Sequence, residues 1–180
     1  MQMSKKTLQS IYDFASILLN AILVVTIIFT FFFKISVVNG SSMEPTLSHG
    51  NRLVLRSNDM NPSYGDIVVI SQPNAYNEVL IKRVIATEGQ MVYIHPILGD
   101  VVIDGKLLNE PYIAEKIQVL GDMQFPITVP KGCVFVMGDN RNHSGDSRFN
   151  AVGFIDKRYI VGEAVYRIGD KHLLSAALEK

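Results

Sequence analysis

"FASILLNAILVVTIIFTFFF", Phe14 to Phe33, runs for twenty residues without a charge, interrupted only by the polar Ser16, Asn20, Thr26 and Thr30. As a helix rising about 1.5 Å per residue, twenty residues cover roughly 30 Å, the thickness of a bilayer's hydrocarbon core. The stretch is apolar all round and too large a share of a 180-residue chain to be enclosed by the rest, which argues against a buried core helix. A cleaved export signal needs a shorter apolar core and a small-x-small exit, whereas "FFFKISVVNG" offers Phe, Lys and Val. The reading is an uncleaved transmembrane anchor over residues 11–34, with 1–10 as a tail and 35–180 as a single domain. Lys5 and Lys6 precede the span and Lys34 and Arg52 follow it, so the positive-inside count is close to a tie and leaves orientation open.

Beyond the span the pattern changes to short runs rich in Val, Ile and aromatics: "RLVLR" (52–56), "DIVVI" (66–70), "VLIKRVIA" (79–86), "QMVYI" (90–94), "VVID" (101–104), "CVFVM" (133–137) and "YIVGEAVYRI" (159–168). Asn61-Pro62-Ser63, Gln72-Pro73-Asn74 and Pro130-Lys131-Gly132 punctuate them. "VVIDGKLL" reads as a hairpin, because Asp104-Gly105 supplies the positive-φ pair of a two-residue turn. The spacing predicts a mainly β, antiparallel domain, with "HLLSAALEK" as a short C-terminal helix. Hydrophobic residues make up 48% of the chain, enough for one packed domain after the anchor is subtracted. Seventeen basic and seventeen acidic residues create no field to attract nucleic acid. A single cysteine, Cys133, and the lack of Cys/His clusters exclude an internal disulfide framework and zinc-like ligand spacing.

Three segments can carry chemistry. "VVNGSSMEPTL" (37–47) places Ser41 and Ser42 in a turn softened by Gly40 and stiffened by Pro45, a few residues from the bilayer. Alone, it reads first as a polar juxtamembrane loop. A serine hydroxyl needs a base to become a nucleophile. Lys82 lies inside an apolar strand, where alternation sends Lys82 and Arg83 to opposite faces. Turned inward it would lose solvation and drop in pKa from about 10.4 toward the 7–8 of a working base; at an edge it would snorkel to water. The third segment, "MGDNRNHSGDSRFNAVGFI" (137–155), has Asp139, Arg141, Asp146 and Arg148 within ten residues. A calcium loop fails there, since its third position would be Arg141 and its twelfth Asn150 rather than Glu. A loop held by its own Arg–carboxylate pairs fits better. His143, near Asp146, offers a Ser-His-Asp alternative with Ser42; His49, His95 and His172 have no carboxylate-rich context.

Taken together, "GSSMEPTL" (40–47), "YGDIVVI" (64–70), "IKRVIATEGQMV" (81–92) and "VMGDNRNHSGDSR" (136–148), in that order, resemble the type I signal peptidase family, in its compact Gram-positive form. "LNEPYI" (108–113) and "VPKGCVFVMGDNR" (129–141) resemble it too, so the likeness covers nearly the whole chain. It implies a membrane-bound serine endopeptidase that removes signal peptides after small-x-small motifs, on an antiparallel β-sheet fold. Ser42 matches the nucleophile, Ser41 the residue before it, Lys82 the general base and Ser144 the serine that orients the lysine. Asp146 with Arg148, and Asp139 with Arg141, match supports of the site, and Arg83 the partner on the opposite strand face. Relatives of the Gram-negative type have a serine where this chain has Gly40, so the oxyanion hole would use the Ser42 N–H with Gly40's backbone or a water.

The resemblance further implies no metal or cofactor, a domain outside the cell with a cytoplasmic N-terminus, and signal peptides, the bilayer and the secretion machinery as partners. Two rivals remain on the residues alone. A Ser-Lys self-cleaving repressor would need a helix-turn-helix where this chain has its apolar span. An anchored β domain that binds secreted partners would need no dyad.

Overall fold

The apolar stretch is helical, and its helix is longer than the span itself: α1 runs from Lys5 to Phe32. The structure, a computed structural model, describes residues 5–57, 61–169 and 174; the C-terminal "HLLSAALEK" therefore falls outside the described residues apart from Leu174. Over its apolar window α1 buries nothing against the domain, and its length and hydropathy suffice to cross a membrane. Two of its polar interruptions are satisfied within the helix, since Thr26 Oγ1 donates to the Ile22 carbonyl (2.8 Å) and Thr30 Oγ1 to that of Thr26 (2.7 Å). Such back-bonding hides a hydroxyl from an apolar surrounding.

No linker follows. Phe33 opens β1 (Phe33–Val37), which pairs antiparallel with β2 (Arg52–Arg56) from Phe33↔Arg56 to Val37↔Arg52. The remaining strands are β3 (Ile67–Ile70), β4 (Leu80–Thr87), β5 (Met91–Ile94), β6 (Val101–Ile103), β7 (Lys106–Leu107), β8 (Ile127–Thr128), β9 (Cys133–Met137), β10 (Ile155–Asp156) and β11 (Ile160–Arg167). All pairings are antiparallel. They form a seven-stranded sheet ordered β1-β2-β11-β3-β4-β9-β10 and a four-stranded sheet ordered β7-β6-β5-β8. The expected hairpin is β6–β7, with Asp104 and Gly105 at φ 50° and 77°.

The central strands are buried on both faces, which explains why "DIVVI" and "VLIKRVIA" read as continuous apolar runs. On one face Ile67, Val69 and Ile81 pack with Leu53, Leu55, Met43 and Leu47. On the other, Val68, Ile70, Leu80 and Val84 pack with Val134 and Val136. A third cluster joins the small sheet (Val92, Ile94, Val101, Ile103) to Ile85, Phe135 and Met137 of the large one. Lys82 and Arg83, on opposite faces of β4, thus each enter a covered layer, with relative exposures of 2% and 8%. A buried cation requires a partner or a lowered pKa, and the two residues take different routes.

Candidate active site

Ser42 stands in the turn that follows β1. Val38 N–H donates to the Asn51 carbonyl and Gly50 N–H returns to that of Val38, both at 2.9 Å, which closes the base of the turn. Within it, Leu47 N–H donates to the Met43 carbonyl (2.8 Å), and both side chains are sunk in the core. Burial of Met43 pins the adjacent Ser42, while Ser41 stays exposed.

From the facing strand, the Lys82 amine donates to Ser42 Oγ at 2.6 Å. Burial holds its pKa down at about 8 against an ordinary 10.5; the Asp146 charge opposes the shift and the Arg148 charge reinforces it. The inward alternative is the one the fold adopts. Arg83 instead keeps its charge by full pairing: Nε and Nη2 fork onto Asp139 (2.8 and 2.6 Å), Nη1 donates to the Gly65 carbonyl (2.7 Å), and the guanidinium lies 4.0 Å from the Tyr112 ring centroid. Thr46, four residues past Ser42, donates to the same carboxylate at 2.5 Å.

The loop 138–148 grips the serine turn by its backbone. Asn140 N–H donates to the Ser42 carbonyl (3.0 Å) and Asn140 Nδ2 to that of Ser41 (3.1 Å). The loop's pairings differ in part from the expectation that it is held by its own ions. Asp146 and Arg148 do pair within it, through Nε–Oδ1 at 2.8 Å and Nη2–Oδ2 at 2.9 Å. Asp139 and Arg141, however, do not pair with each other: Asp139 takes Arg83, and the fully buried Arg141 forks onto Glu110 at 3.0 and 2.6 Å. Both partners lie outside the loop, Arg83 on β4 and Glu110 shortly after β7, and Tyr112 lies between them beside both guanidinium groups.

Two expected contacts are not formed. Ser144 Oγ does not reach Lys82; it is buried without a hydrogen-bond partner and turned toward Gly138, where an added side chain would run into both Ser144 Oγ and the Ser42 carbonyl oxygen. Gly40 N–H, expected as an oxyanion donor, donates to His49 Nδ1 at 3.2 Å, and Ser42 N–H takes part in no hydrogen bond among the described residues. His143 lacks an orienting carboxylate there, since Asp146 gives one oxygen to Arg148 Nε and the other to Arg148 Nη2 and Gly138 N–H. Sequence reasoning missed the roles of Glu110, Tyr112, Thr46 and His49. Each meets its partner only through the fold or across a turn, and the only pointer to the first three was their place in "LNEPYI" and "SSMEPTL".

A cleft of about 650 Å³ exposes the serine–lysine pair between residues 36–43 and 78–82, with Tyr76, His143 and Gly145 completing its lining. No cluster of metal-ligating side chains occurs among the described residues. A serine hydroxyl on a buried amine, open to a cleft, has the parts of a serine hydrolase site.

The family model described as "Signal peptidase, peptidase S26" matches residues 11–168, and the chain belongs to that family. It is similar to the signal peptidase I of Bacillus licheniformis, 33% identical over 168 residues, 87% of this chain and 88% of that one. Against the signal peptidase I T of Bacillus subtilis the identity is 36% over 177 residues, 91% of this chain and 88% of the relative. Among solved structures, a signal peptidase I from Enterococcus faecalis shares 29% identity with a TM-score of 0.44, covering 57% of this chain and 96% of its own. The chain is thus a hydrolase of signal-peptide processing, carrying an N-terminal apolar helix that fits membrane anchoring.

Proposed function

We propose that this protein cleaves signal peptides from exported preproteins after small-x-small sequences, with Ser42 as nucleophile and Lys82 as general base. The observation that carries this reading is the 2.6 Å contact between Lys82 Nζ and Ser42 Oγ, made by a lysine that burial holds near pKa 8. Neutral Lys82 takes the Ser42 proton as Oγ attacks the scissile carbonyl, and the Ser42 N–H binds the oxyanion. Gly40 N–H joins it only by releasing His49 Nδ1; otherwise a water is the second donor. The Lys82 ammonium then protonates the leaving amine, and water, deprotonated by the same lysine, hydrolyses the ester.

Val37, Val79 and Ile81 give the cleft the apolar lining that a small-x-small segment would meet, and an extended substrate would lie there as an added strand. Arg83–Asp139, Arg141 and Asp146–Arg148 hold the loop that grips Ser42, and Ser144 Oγ, unpartnered beside Gly138, would turn to orient the lysine during turnover. Residues 1–10 lie in the cytoplasm, the helix from 11 to Phe32 in the bilayer, and the β domain that begins with β1 at Phe33 on the outer face, where signal peptides and the secretion machinery are met.

Cleavage of a preprotein by detergent-solubilised variants tests the reading. Ser42→Ala and Lys82→Ala are expected to lose activity, His143→Ala to keep most of it, and Ser144→Ala to lose about tenfold. Undiminished cleavage by folded Lys82→Ala would remove the dyad.

A further inference from the structure

A second cleft, of about 500 Å³, opens beside the serine turn, lined by Glu44, Pro45, Ser48, Ala114, Glu115 and Asn140 among others. Its wall starts two residues past Ser42. His143 lines both clefts and so stands where one gives way to the other. Asn140, on its wall, is the residue whose N–H holds the Ser42 carbonyl.

Both clefts are lined by a mixture of polar and apolar side chains, and they differ in charge: the first holds Lys82 with Glu78, the second holds Glu44, Glu115 and Asp139 with Arg141. Of the charged residues lining the second, Asp139 is neutralised by Arg83, and Arg141 by Glu110. Glu44 and Glu115 remain, both exposed and without a cationic partner among the described residues; Glu115 accepts only from Asn142 Nδ2, at 3.1 Å. Lys116 beside it is engaged by Asp100. The cleft therefore carries net negative charge at neutral pH.

We infer that this second cleft receives the part of the substrate that follows the cut bond, and that Glu44 and Glu115 favour a cationic residue there. The inference rests on Ser42 as nucleophile. A chain laid in the first cleft with its scissile carbonyl at Ser42 has its apolar half against Val37 and Val79. The half after the cut continues past His143 into the second cleft. When the C–N bond breaks and the Ser42 ester forms, the Lys82 proton makes the leaving nitrogen a neutral amine, which takes a second proton from water at neutral pH, and the same carboxylates then stabilise the resulting ammonium.

The test uses the full chain in detergent and two quenched cleavage-site peptides identical except for Lys or Glu at the second position after the cut. Wild type is expected to prefer the Lys peptide by about fivefold in kcat/KM, the scale of two partly exposed charge contacts changing sign. That preference shrinks as salt is raised. In Glu44→Gln/Glu115→Gln, which keeps the shape of both side chains, the ratio falls to about one. Equal rates on both peptides in wild type, or an unchanged ratio in the double variant, would overturn the inference. Cleavage surviving Ser42→Ala would sink the proposed mechanism instead, so the two failures are distinct.

Discussion

Lys82 faces opposite demands from stability and from catalysis. Its amine is buried on a β-sheet wall, and its charged form is disfavoured enough to bring the pKa from 10.5 to about 8. A pKa lowered by folding means that below about 8 both folded and unfolded chains carry the proton, and the folded one bears the full penalty. Between 8 and 10.5 the unfolded chain holds more protons, so stability rises with pH through that window and the penalty is gone above it. The shift corresponds to about 3 kcal/mol at most. Lys82→Met is therefore expected to be inactive yet to melt above wild type at pH 7, with the gap closing as pH passes from 8 to 10.5; thermal melts across that range check it. Under the proposed mechanism the wild-type kcat/KM climbs about tenfold per pH unit below 8 and levels off above. A profile flat from pH 6 to 9 would show that Lys82 is not the base.

At the scale of elements, a short strap from the small sheet holds the catalytic loop. Glu110 receives the Arg141 fork and the Tyr112 hydroxyl (2.9 Å), Tyr112 lies under Arg83, and Arg141 Nε donates to the Gly138 carbonyl (3.0 Å). Removing one side of a buried ion pair leaves the other charge uncompensated. Glu110→Ala is expected to lose about 3 kcal/mol by urea denaturation, and Tyr112→Phe, which keeps the ring and loses a hydroxyl, about 1. Equal losses would mean that the hydroxyl chain, not the fork, carries the load. None of this was visible along the chain, where Glu110 and Arg141 are 31 residues apart and Arg83 and Asp139 are 56 apart. Strands such as "RLVLR" and "CVFVM" were legible because turn residues bound a β-branched run, and they recur with those limits. β1 was hidden because Phe33 to Val37 continues the apolar stretch with no turn between, and β8 and β10 are two residues each, too short to show a period. The serine and the lysine were each legible as residue types in unusual settings, but their distance was not, since only the turn after β1 and the register of β4 bring residues 42 and 82 together.

At the scale of the whole molecule, the passage from α1 directly into β1 decides where the site works. Ser42 comes ten residues after the last helical residue, and five of those are locked into the sheet by pairing with β2. With the helix in a bilayer, the cleft is held close to its surface, within reach of a substrate segment still embedded there. Which surface is not written in the flanking charges, because Lys5 and Lys6 on one side are matched by Lys34 and Arg52 on the other. The proposed outward orientation follows from the work of the family, and a labelling experiment decides it. Ile97 is 86% exposed, at a loop of the small sheet well along the chain from the helix, and Cys133 is the sole native thiol. Ile97→Cys in a Cys133→Ser background is expected to react with a membrane-impermeant maleimide on intact cells from which the wall has been removed. Labelling that appears only after the membrane is permeabilised would place the domain inside, where a processing enzyme could not meet the translocated side of its substrate.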